Sequence, residues 1–192
     1  MAIPNEKLAR ALDALHRVDR NGIVRASDLT RTYRERLQKA AFLQEIIKGW
    51  LLVSHPEAPP GSSVSWYASF WTFVSLYLRD RFGDEYCLSA EASAQRLAGS
   101  TTIPKQVAVM VQPDVRQFIQ LPFDTSLAIF STVEALPPHR EFRDGVWTMG
   151  LEAAIVRLPE AFYRNYPQDA EIALRMMPDP RKLLLTCSKA VR

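Results

Sequence analysis

Apolar residues at Leu8, Ala11, Leu12, Leu15 and Val18 recur at helical spacing, so the chain opens on a predicted helix over 5–19. Asn21-Gly22 stops it, and Ile23 and Val24 form a short extended piece. Ser27 is the expected N-cap of a brief second helix from Asp28. Residues 30–41 predict a third helix, with Leu29, Tyr33, Leu37 and Ala40 or Ala41 as its inward stripe. In FLQEIIKGWLLVS the β-branched and aromatic content rises, and Lys48-Gly49 interrupts the run. Strands Leu43–Ile47 and Trp50–Ser54 are predicted there, closed into a hairpin at Lys48-Gly49. Three helices followed by a hairpin with a basic tip make the pattern of a winged helix over 1–55.

The stretch HPEAPPGSS, His55 to Ser63, carries three prolines and a glycine and predicts an exposed connector, the Pro-rich part being 56–63. A long helix is expected from Val64 to Phe82. Trp66, Phe70, Phe73 and Tyr77 form one stripe on it, and Trp71, Val74 and Leu78 a second, so it is expected to be buried on more than one side. Ser89 should cap a further helix that Gly99 ends. Strands are predicted at Gln106–Val111, Arg116–Leu121, Leu127–Thr132, Arg140–Phe142 and Val146–Met149, with Asp144-Gly145 as the turn between the last two. Helices are predicted at Leu151–Tyr163, Gln168–Met177 and Arg181–Ser188. The fold class expected is therefore α+β: a winged helix, then a domain over 64–192 with a small mixed or antiparallel sheet and flanking helices.

Charge adds an asymmetry. The formal net charge is only +3, yet residues 1–48 hold ten Lys and Arg against six Asp and Glu. A basic module joined to a near-neutral remainder suggests contact with phosphate. On the third predicted helix Arg31, Arg34 and Gln38 are spaced to project together, with Glu35 on the same face and Arg36 and Lys39 on its flanks. Arg and Gln are the residue types that bond base edges and phosphates from a helix in the major groove. Arg31, Arg34, Arg36, Gln38, Lys39 and, at the hairpin tip, Lys48 are thus the candidate DNA-binding residues.

Other chemistry is sparse. No phosphate-binding glycine motif and no Gly-x-Ser-x-Gly occurs. Cys87 and Cys187 have no histidine neighbour in sequence and read as core thiols. His16, His55 and His139 are scattered, and Glu134, Glu141 and Asp144 read as a solvated loop before a metal site. No catalytic residue, metal or cofactor is expected. The uncharged run from Ser62 to Leu78 fits a buried helix better than a membrane span, and Glu6, Lys7 and Arg10 interrupt any leader-like apolar run. A cytoplasmic chain without a membrane partner is expected.

The stretches RLQKAAFLQEIIKGWLLVSHP, WYASFWTFVSLYLRDRFG, EYCLSAEASAQRLAG and QLPFDTSL resemble the N-terminal region of many bacterial Fic-family (cell filamentation) proteins. They are similar also to the type IV antitoxins called AbiEi, and the resemblance runs from about residue 5 to about residue 180. It implies a winged helix followed by an antitoxin-like domain, parts that in the antitoxins bind the operon's own promoter and restrain the toxin. In the Fic proteins the region precedes a domain that transfers AMP or a similar group to hydroxyls. That domain's His-Pro-Phe-x-x-Gly-Asn-Gly-Arg motif is absent: the one His-Pro, His55-Pro56, continues Glu57-Ala58. The chain is thus expected to be no enzyme itself, and either a regulator in its own right or a piece cut before a catalytic domain. The expected partners are double-stranded DNA and a toxin or Fic-type catalytic domain, with a homodimer among the arrangements open to it. The alternative is a protein-interaction module that positions or inhibits a catalytic partner without touching DNA.

Overall fold

The computed structural model describes residues 6–59, 61–112, 114–132 and 136–177 of the chain, and its architecture is α+β. The chain divides into two compact units, Met1–Leu76 with Leu121–Phe123, and Tyr77–Gln120 with Asp124–Arg192.

The first unit begins with α1 (Glu6–Val18), β1 (Ile23–Arg25), a single 3-10 turn at Ala26–Asp28, α2 (Arg31–Lys39), β2 (Leu43–Ile47) and β3 (Trp50–Val53). The strands form an antiparallel sheet in the order β1-β3-β2. Apolar spacing decides the packing. Ala11 and Leu15 of α1, Leu37 of α2, and Leu43 and Leu51 of the hairpin bury together with Val24 and Leu29. Side chains alternate along β3, so Trp50 and Leu52 face the other way from Leu51. There Trp50 meets Phe73 of α3 (Val64–Phe82) edge-on, with ring centroids 5.8 Å apart. Trp66 and Phe70, both fully buried, continue that aromatic layer.

Asn21-Gly22 does more than end α1. Both residues have positive φ (52° and 88°), and Arg20 and Ile23 exchange backbone hydrogen bonds across them. This is the tight primed turn that Asn-Gly favours. A Cβ on Gly22 would stand 2.1 Å from Ser69 Oγ of α3, so the glycine also permits a close approach.

The expected second helix is a correction. It is a single 3-10 turn, and Ser27 does not cap it; the Ser27 hydroxyl donates to Asp28 Oδ1 at 3.2 Å instead. Leu29 and Thr30 are extended, and Thr30 is itself the N-cap of α2, accepting from the Tyr33 N–H at 3.3 Å. Only one turn fits between β1 and that cap.

The second unit holds a mixed four-stranded sheet in the order β4-β5-β7-β6, built from β4 (Tyr86–Leu88), β5 (Gln106–Val111), β6 (Arg116–Gln120) and β7 (Ser126–Ser131). β5 and β7 run parallel and the other pairs antiparallel. Val107, Val109, Val111, Leu127, Ile129 and Ile119 share one buried face. On the other, Cys87 and Met110 pack with Ala90, Leu136, Met149, Ala153 and Ala154. α4 (Ala90–Leu97) is capped by the Ser89 hydroxyl, which accepts from the Ala92 N–H. A hairpin of β8 (Arg140–Arg143) and β9 (Val146–Met149) turns at Asp144-Gly145.

Buried Ser93 ties three elements together. Its hydroxyl donates to the Leu88 carbonyl and accepts the Met149 N–H at 3.0 Å. The predicted helix over Leu151–Tyr163 is two helices, α5 (Leu151–Arg157) and α6 (Glu160–Asn165). Pro159 forces Leu158 into an extended conformation between them. α7 (Pro167–Arg175) follows, and the helix predicted at Arg181–Ser188 lies outside the described residues. Among the described residues no helix is long and apolar enough to cross a membrane.

Candidate nucleic-acid interface

In the first unit an open groove of about 440 Å³ lies between α2 and the β2–β3 hairpin. Four of the six candidate residues line it: Arg31, Arg34 and Gln38 from α2, and Lys48 from the hairpin turn. The helix contributes them because Leu37 is held in the core, which turns the 31, 34, 38 face outward. The turn contributes Lys48 because Gly49 takes φ +90° and closes the hairpin immediately behind it.

The other two candidates are elsewhere. Arg36 reaches α1, donating from Nη1 to the Lys7 carbonyl at 2.9 Å, and so joins the two helices. Lys39 is exposed and does not line the groove.

The groove is not uniformly basic. Glu35 and Glu45 line it too, so three cations face two carboxylates. Arg31 donates from Nε to Glu35 Oε1 at 2.7 Å, with both side chains mostly exposed (85% and 61%). The hydrogen bond to Glu35, and then its charge, push the Arg31 guanidinium above its ordinary value. Glu45 was not singled out as a site residue from sequence. Its pairing opposite Leu51 sets it on the sheet face that carries the core, just past the core's edge, and the predicted hairpin register contains that signal. Arg34 Nε is buried and has no hydrogen-bond partner among the described residues.

A second cleft, of about 580 Å³, belongs to the other unit and lies among α4, the start of β5 and α6. Phe162, Tyr166, Ala92 and Ala108 supply apolar walls, and its charged groups are Glu91 and Lys105. Neither histidine nor cysteine lines it. Cys87 is buried in the core, and burial pushes its thiol up to about 12. Asp144 is held by Arg96 at 2.9 Å, and Glu134 and Cys187 lie outside the described residues. Among the described residues no three His, Cys, Asp or Glu side chains come together in a way that could hold a metal. No protein-family model matches the chain, and no curated protein matches it.

Proposed function

We propose that the protein is a DNA-binding regulatory module of antitoxin type. The first unit is then a winged helix, with α2 in the major groove and Lys48 on the phosphate backbone. The second unit restrains or positions a toxin or a Fic-type AMP-transferase domain. The observation that carries the DNA reading is the groove, where two arginines, a glutamine and a lysine meet. Arginine side chains on such a face are the types that grip guanine O6 and N7, or a phosphate oxygen.

A salt series tests this. Fluorescence anisotropy with duplex DNA from upstream of the gene should show affinity falling as salt rises. Arg34→Ala should weaken binding about 10-fold or more. Lys48→Ala should flatten the salt slope by about one unit. Absence of binding at low salt overturns the reading.

One observation favours the alternative of a protein-interaction module. Phe118 on edge strand β6 is 61% exposed, and Phe130 is exposed on the same sheet face. Aromatic residues are enriched at protein–protein interfaces.

A further inference from the structure

We propose that Glu35 is an internal competitor of DNA for Arg31, one that lowers affinity for duplexes of arbitrary sequence; this rests on the DNA-binding reading above. Arg31 is the first residue of α2, whose first turn holds no acidic residue. A cation at that end opposes the helix dipole. The ion pair also runs from Arg at i to Glu at i+4, the less favourable order on a helix. Exchanging the two residues would serve helix stability better, so stability is a poor account of their arrangement.

What the pair does is occupy Arg31 Nε, held by Glu35 at 2.7 Å. The Nε–H and its neighbouring Nη–H form an edge by which a guanidinium grips phosphate with two hydrogen bonds. A phosphate that takes this edge must evict the carboxylate. The evicted group stays in the groove, one helical turn away, and faces the phosphate with like charge. Only a hydrogen-bond donor can then satisfy it. In the major groove the base-edge donors are the amino groups of cytosine and adenine. Every duplex therefore meets the cost of displacing Glu35, and only a duplex presenting an amino group there recovers it. Glu45, lining the same groove, deepens the repulsion of a misplaced backbone.

The test uses Glu35→Gln, which keeps shape and removes charge on an exposed face. Wild type and variant are titrated against a mixed-sequence duplex of about 30 base pairs across a salt series. Glu35→Gln should bind about 3- to 5-fold tighter, as expected for release of an exposed ion pair, with a salt slope steeper by up to about one unit. In an Arg31→Gln background the gain should shrink to below about 1.5-fold, because the competition runs through Arg31. An equal gain in both backgrounds would make Glu35 a general repulsive charge and overturn the proposal. Unchanged affinity and slope in Glu35→Gln would overturn it as well. Failure of the wild type to bind any duplex is visible before variants are compared; it defeats the DNA-binding reading, and this proposal with it.

Discussion

Gly22 carries two demands at one position: a left-handed backbone, with φ of 88°, and no side chain beneath Ser69. Alanine meets neither. Its Cβ would sit 2.1 Å from Ser69 Oγ and 3.2 Å from Ser69 Cβ. Gly22→Ala should cost about 2–4 kcal/mol, read as a lower urea midpoint at unchanged m-value. Ser69→Ala in the same chain should return part of it, since the Oγ conflict disappears while the backbone strain remains. The sequence marks Asn21-Gly22 as a turn because turn chemistry is local. It does not reveal the contact with Ser69, which joins residues forty-seven positions apart. The same limit applies in the groove. Arg31, Arg34 and Gln38 can be grouped by helical spacing alone, and Lys48 joins them once the hairpin is recognised. Arg36 instead turns to the Lys7 carbonyl, because its position on the flank of α2 borders α1. A helical wheel sorts a flank from a face but cannot say what the flank borders.

At the scale of elements, signals within one segment are legible, down to the short strands Ile23–Arg25 and Arg140–Arg143, and one brief strand is not. The long helix at Val64–Phe82 and the hairpin at Lys48-Gly49 follow from apolar pattern and turn residues. The three-residue strand Tyr86–Leu88 carries no legible pattern, because three residues fit between a turn and a capped helix without any periodicity. That strand has its own chemistry. Burial pushes both the Tyr86 hydroxyl and the Cys87 thiol up to about 12. A group whose pKa is raised on folding contributes stability that is fully present below its unfolded value and is lost above it. The ordinary values are 9.0 for the cysteine and 10.0 for the tyrosine. Stability of the second unit should therefore hold up to about pH 9 and fall between there and about pH 12. Urea midpoints at neutral and alkaline pH measure the fall, and it should flatten in a Tyr86→Phe, Cys87→Ala double variant. A midpoint that ignores alkaline pH would show that neither group is anchored in its neutral form.

For the whole molecule, composition and charge limited the class and left the partner open. The basic surplus of residues 1–48 does not distinguish DNA from an acidic protein surface. The proline-rich connector looks in sequence like the natural place to cut the chain. Contacts divide it elsewhere, between Leu76 and Tyr77 in the middle of α3, so the first three turns of that helix belong with the sheet before the connector. Phe73 covers Trp50 from beyond the prolines, and Trp66 packs on Phe73 and Phe70 in the same layer. A protease that nicks residues 56–63 should leave two pieces that still elute together by size exclusion and part only in denaturant. A fragment ending at residue 63 would lack that aromatic layer and bare Trp50, and it should show no cooperative unfolding transition. The unit that can be transplanted between proteins therefore reaches past the visible hinge. A recombination or a cloning boundary set at the prolines would separate a domain from its own lid.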